Sequence, residues 1–266
     1  WRSAGSPRPP TQSVGTGGRW PAARATRATH RGPGFAAGPE ADGGARLWFL
    51  LAPDASPLLA DLRRRLSARF PRARFRVWAP VAEDQAAEGA RLAFGRALDA
   101  QPRLDRADVI LALDADFLFG PGDALRLARE FARRREPGES MSRLYVAEPA
   151  LTVTGAMADH RFRMRGSEVA GFARQVAGAL GAVAAEAALP AGREARAVAA
   201  DLQRHRGRSL VLAGPRQPAA VHALCHAMNA ALGNGGETVR YTAPVLGEAR
   251  PDPRALPDLS REIDAG

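Results

Sequence analysis

The sequence predicts an α/β fold, a doubly wound and mostly parallel sheet with helices on both faces, preceded by a disordered N-terminal segment. Three observations carry this expectation. Six short runs, 47–51, 74–78, 108–113, 143–147, 209–213 and 238–241, are apolar or nearly so, as strands covered on both faces are. The segments between them are long enough for crossover helices, which need about a dozen residues. Several of those segments carry apolar residues at helical spacing among arginines. Strand–helix alternation of this kind gives a parallel sheet with right-handed crossovers.

Taken in order, residues 1–45 contain nine Gly and six Pro, and only Val14 and Phe35 among Val, Ile, Leu, Met and Phe. Such a stretch cannot bury enough apolar surface to offset its chain entropy, so it reads as disordered. From Arg46 the pattern changes. Leu58, Leu62, Leu66 and Phe70 recur at four-residue steps after the first strand, with Arg63 to Arg65 turned outward. Leu125, Ala128 and Phe131 form a second stripe, Val169, Phe172, Val176 and Leu180 a third, and Val221, Leu224, Met228 and Leu232 a fourth. Two helical segments, about 168–188 and 193–205, separate the fourth and fifth strands, joined by an Ala- and Gly-rich link containing Pro190. The domain is expected to span 46–246. Residues 247–266, rich in Pro and charge, read as a truncated C-terminal segment that ends inside a helix. No internal repeat is present. The opening Trp1-Arg2-Ser3 lacks the layout of a signal peptide, which points to a chain cut from a longer one.

The composition bounds the function. The net charge is +10, and all 38 basic residues are Arg, while Ile occurs only at Ile110 and Ile263. That residue set follows GC-rich codons. The arginines are scattered and aromatic residues make up only 6%, so neither a phosphate-tracking stripe nor a stacking platform is offered to nucleic acid. No apolar run approaches the roughly 18 residues a membrane-spanning helix needs. Cys225 is alone, so this chain can form no internal disulfide and cannot hold an iron–sulfur cluster, which takes about four thiolates.

In an open α/β sheet, ligands sit beyond the carboxyl ends of the strands. Four loops qualify: Asp114-Ala115-Asp116-Phe117-Leu118; Glu148-Pro149 with Thr152, Thr154 and Gly155; Gly214-Pro215 with Arg216 and Gln217; and Thr242-Ala243-Pro244. Their Thr hydroxyls and Gly amides suit phosphates or ring nitrogens, although loops of this composition are also ordinary turns. Asp114 and Asp116 could clasp a divalent metal with a nucleotide diphosphate, or serve as loop caps. His222 and His226 stand one helical turn apart, but Ala223 occupies the position where a zinc-protease pattern carries Glu. Cys225 adjoins the apolar stripe and reads as a small core residue. No Gly-x-Ser-x-Gly elbow is present. Gly233-Asn234-Gly235-Gly236 follows a helix and precedes a strand, which makes it a helix stop.

Several segments together resemble the molybdopterin oxidoreductase superfamily, and within it the large iron–sulfur subunits of alternative complex III. The carriers are residues 107–118, with their Leu-Asp-Ala-Asp-Phe; 125–135; 141–148; 151–161, with Thr154-Gly155-Ala156-Met157-Ala158-Asp159; and 206–233. The likeness covers about 47–262. It implies a groove for a molybdopterin guanine dinucleotide lined by Asp114, Asp116, Glu148, Thr152, Thr154, Gly155 and Asp159, with Asp159 placed to pair with guanine. On its residue type alone Asp159 could equally cap the following turn. The resemblance also implies that the molybdenum ligand and the cluster cysteines lie on sequence absent from this chain. In alternative complex III this domain is thought to have lost its cofactor. Partners would be the other subunits of a respiratory membrane complex, at the outer (periplasmic) face of the cytoplasmic membrane.

Three functions follow as expectations. The first is a non-catalytic scaffold within a quinol-oxidising complex, with no cofactor in this chain. The second is a fragment of an active molybdenum oxidoreductase that still binds the dinucleotide. The third is a metal-dependent nucleotide-sugar transferase using Asp114 and Asp116. The sequence reading places Asp116, Glu148 and Asp159 in one cleft.

Overall fold

The structure is a computed structural model that describes residues 42–264 apart from 55, 80–83, 121–122, 139–140, 185–188 and 245–253. The segment expected to be disordered, 1–45, therefore lies almost wholly outside the described residues. The order is β1 (Trp48–Leu51), α1 (Pro57–Arg69), β2 (Arg74–Val77), α2 (Gln85–Phe94), β3 (Asp99–Pro102), a 3-10 turn (Leu104–Arg106), β4 (Val109–Leu113), α3 (Ala124–Arg133), β5 (Arg143–Glu148), α4 (Val153–Ala156), β6 (His160–Arg163), α5 (Gly166–Ala179), α6 (Arg193–Arg204), β7 (Ser209–Ala213), α7 (Ala219–Ala231), β8 (Val239–Thr242) and α8 (Ala255–Asp264).

The fold is α/β with a parallel central sheet of four strands in the order β6-β5-β4-β7. All five residues of β4 are buried because both faces are covered. Val109, Leu111 and Leu113 point into one core with Val169, Val176, Val198, Leu202, Val221 and Met228 of α5, α6 and α7. Ile110 and Ala112 point into the other, with Leu104, Leu127, Phe131 and Val239. The period-2 alternation of a strand thus splits one apolar run between two layers.

All six expected strands form, but three lie outside the central sheet. β1 and β2 make a separate parallel pair. The C-terminal helix α8 contacts that pair: Trp48 Nε1 donates to Glu262 Oε2 at 2.7 Å, and Arg74 also pairs with Glu262. β8 pairs antiparallel with β3. Neither β3 (Asp-Ala-Gln-Pro) nor β6 (His-Arg-Phe-Arg) shows an apolar run, and both form at sheet edges through backbone pairing. Two expected core stripes are corrected. Helix α1 buries none of its residues, so Leu58 and Leu62 remain exposed. In α3, Leu125 is exposed while Leu127 packs inward beside Phe131. Among the described residues no helix is long and apolar enough to cross a membrane.

Strand β7 is an edge of the central sheet, and side chains cover most of its open backbone. Asn229 donates to the Val211 carbonyl at 2.9 Å and accepts from the Val211 amide at 3.0 Å. The Thr238 hydroxyl donates to the Ser209 carbonyl at 2.5 Å. This amide-for-strand substitution satisfies groups that burial would otherwise leave unpaired.

Candidate functional site

The chain runs β4, β5, β6 to one side and then returns to place β7 on the other side of β4. The switch point therefore lies between β4 and β7, where ligands of open α/β sheets bind. The two strand ends approach closely there. The Gly214 amide donates to the Leu113 carbonyl at 2.9 Å, and a side chain at Gly214 would overlap the Asp114 carbonyl. Asp114 takes the left-handed region at φ 53°, which Asp tolerates better than most residues. Its buried carboxylate accepts from Arg216 Nη2 at 2.8 Å and from Gln217 Nε2 at 3.0 Å. Asp114 thus ties the first rim loop to the third.

Asp116 turns the other way. Its Oδ1 accepts from the Thr154 hydroxyl at 2.7 Å and the Thr154 amide at 3.0 Å, and that same hydroxyl accepts from the Leu118 amide at 3.0 Å. The two aspartates expected to clasp one metal are committed to different loops.

Glu148, at the carboxyl end of β5, is 1% exposed. It accepts from Arg161 Nε at 2.5 Å, the Thr152 hydroxyl at 2.6 Å and the Thr152 amide at 3.3 Å. The Thr152 hydroxyl in turn accepts from the Gly155 amide at 2.9 Å, capping α4. A Cβ on Gly155 would overlap the Glu148 carboxylate. The space that glycine leaves is therefore filled by this chain's own side chain.

Asp159 is separated from these groups. β6 is in register with β5 through Tyr145↔His160 and Glu148↔Arg163, so Asp159 lies beside Leu144, near the amino end of β5. Four residues of strand, about 13 Å, separate that level from Glu148. Asp159 accepts from Arg135 through both oxygens at 2.7 and 2.9 Å and from the Leu144 amide at 2.8 Å. Burial alone would raise its carboxyl, but the Arg135 guanidinium and the Leu144 amide outweigh that and hold it below the usual range. The single cleft expected for Asp116, Glu148 and Asp159 does not form, because the crossover through α4 carries Asp159 back to the opposite end of the sheet.

A cavity of about 520 Å³ opens beside the switch point, between the β4 and β7 rim loops, β3, α2 and the face of α7 carrying His222, Cys225 and His226. His222 and His226 are both buried. Burial first, then repulsion from His222, pushes His226 down to about 4, and its Nδ1 lies 3.1 Å from the Tyr241 hydroxyl. Burial pushes the Cys225 thiol up, in keeping with its place in the core. Among the described residues, no group of three or more His, Cys, Asp or Glu side chains could hold a metal ion.

A molybdopterin guanine dinucleotide does not fit these residues. The carboxylates implied for its groove are paired internally, the guanine partner stands at the wrong end of the sheet, and the charged side chains lining the cavity are Asp99, Asp116 and Asp123. A pyrophosphate there would meet like charge, with no lining cation among the described residues to offset it. Sequence reasoning placed Arg216 in the third rim loop but missed Arg135 and Arg161, which pair with Asp159 and Glu148. Nothing in their spacing marks them among so many arginines. No family model matches the chain, and no curated protein matches it.

Proposed function

We propose that this domain is a non-catalytic scaffold, derived from a dinucleotide-binding α/β fold, within a subunit of a membrane-associated quinol-oxidising complex of the alternative complex III kind. One observation supports the non-catalytic part: the carboxylates that would address a cofactor bond within the fold, three of them to arginines. Glu148 is held by Arg161 and Thr152, Asp114 by Arg216 and Gln217, Asp116 by Thr154, and Asp159 by Arg135. Charge-assisted bonds of this kind fix the loops relative to one another. The rim then works as a rigid surface, and Phe119 and Leu151 project from it, 77% and 68% exposed, as apolar contacts for a neighbouring subunit.

The assignment to a respiratory complex rests on the resemblance carried by the Leu113–Phe117 and Thr154–Asp159 segments. On this reading the iron–sulfur clusters, the other subunits and the outer membrane face belong to the whole assembly. The active molybdenum enzyme and the nucleotide-sugar transferase both need free rim carboxylates, and gain no such support.

The test uses the full-length protein extracted from native membranes with its bound subunits. Molybdenum, released pterin, iron and acid-labile sulfide are measured per chain. Iron and sulfide with molybdenum and pterin far below one per chain are expected. A stoichiometric yield of molybdenum and pterin overturns the scaffold reading, and a particle without iron–sulfur clusters overturns the respiratory one.

A further inference from the structure

We propose that the cavity beside the β4 and β7 rims binds a small organic cation, a protonated amine or amidine carried on a flat apolar body. This goes beyond the scaffold reading and does not depend on it. The cavity, about 520 Å³, has the size of a small-molecule site and lies at the switch in strand order. Phe117, Leu127, Leu212 and Val239 supply apolar wall.

The free polar groups on the residues lining this space are mostly hydrogen-bond acceptors. His222 is 6% exposed, and its Nε2 has no hydrogen-bond partner. Burial keeps the imidazole below its ordinary pKa, outweighing the nearby backbone of Gln217 and Gly214. A neutral ring that donates through Nδ1 presents Nε2 as a lone pair. The Asp99 carboxylate has no hydrogen-bonding or ionic partner among the described residues, and burial raises its pKa. Thr154 occupies only Oδ1 of Asp116. Asp123, the third lining carboxylate, is paired with Arg126. Strand alternation adds the Ala213 backbone: Gly214 bonds to β4, so Ala213 faces the open edge beyond the stretch that Asn229 and Thr238 cover. Among the described residues no Arg lines the cavity. An imidazole nitrogen without a partner and two carboxylates with no ion-pair partner among the described residues, beside apolar walls, call for a ligand that donates and carries positive charge.

Three isosteric probes separate charge from shape. Benzamidine, benzamide and benzoate are titrated into the full chain by calorimetry, with imidazole resonances followed by NMR. Benzamidine should bind about tenfold more tightly than benzamide, as expected for a partly desolvated ion pair, and benzoate should show no binding. The Asp99→Asn/Asp116→Asn variant should lose about tenfold toward benzamidine and leave benzamide unchanged. Asp99→Asn alone, at a side chain without a partner to lose, gives the same readout with a smaller loss should the double variant unfold. The His222 resonances should shift on adding benzamidine. The proposal is overturned if benzoate binds as well as benzamidine, if benzamidine affinity is indifferent to Asp99→Asn, or if the His222 resonances do not move.

Discussion

Replacing Gly155 by alanine tests whether Glu148 is a structural anchor. The added methyl would occupy the space of the Glu148 carboxylate, which Arg161 and Thr152 hold in place. Either the α4 turn or the carboxylate must move. Moving the carboxylate forfeits part of a set of charge-assisted bonds, each worth about 1.5–3 kcal/mol. Alanine returns up to about 1 kcal/mol through its greater helical propensity over glycine. A net loss of about 2–3 kcal/mol follows, or roughly 5–10 °C in Tm at about 2–4 °C per kcal/mol for a domain of this size. The decisive measurement is a double-mutant cycle by urea unfolding. Glu148→Ala leaves Arg161 with an unpaired, partly buried charge and should cost about 3–5 kcal/mol alone. It also vacates the space the methyl needs, so adding Gly155→Ala to it should cost nothing or stabilise slightly. An equal penalty for Gly155→Ala in both backgrounds would refute the reasoning, because the clash could not then be with Glu148.

Other outcomes follow from the same geometry. Asp159 has a depressed carboxyl, so its contribution is present above the unfolded value near 3.8 and lost as pH falls through the folded value. Asp159→Asn should flatten that acid limb in pH-dependent unfolding. His226 is lowered from 6.5 to about 4, so between those values the unfolded chain takes up a proton that the folded chain refuses. Stability should therefore fall as pH drops from about 6.5 to 4, by up to about 3 kcal/mol, and His226→Gln should remove most of that slope. Cys225, buried and with its thiol pushed up, should stay silent to a thiol reagent in the folded protein and react fully on unfolding. Rapid modification under native conditions would contradict its place in the core.

The α/β class was legible because burial on both faces leaves a mark that needs no neighbours to read: Val109 to Leu113 is apolar throughout, and that alone marks a covered strand. The stripes on α5 and α7 were equally plain, since Val169, Val176, Val221 and Met228 each face the core. Helix α1 shows the limit of that inference. Its leucines recur at the right spacing, yet none of them is buried. Strands β3 and β6 were illegible for the opposite reason, because edge pairing uses backbone groups that every residue carries and leaves no apolar signature.

By itself, then, the sequence determined the layer architecture and the carboxylates available at the loops, since apolar period and residue type are local properties. The tertiary structure decided which carboxylates meet. Asp116 and Glu148 stay near the carboxyl rim, while Asp159 is carried to the amino end beside Leu144. It also chose an arginine for Asp114, Glu148 and Asp159 from a chain with 38 of them, and set His222, Asp99 and Asp116 around one cavity. Charge pairing depends on distances across the fold, and spacing along the chain does not encode them.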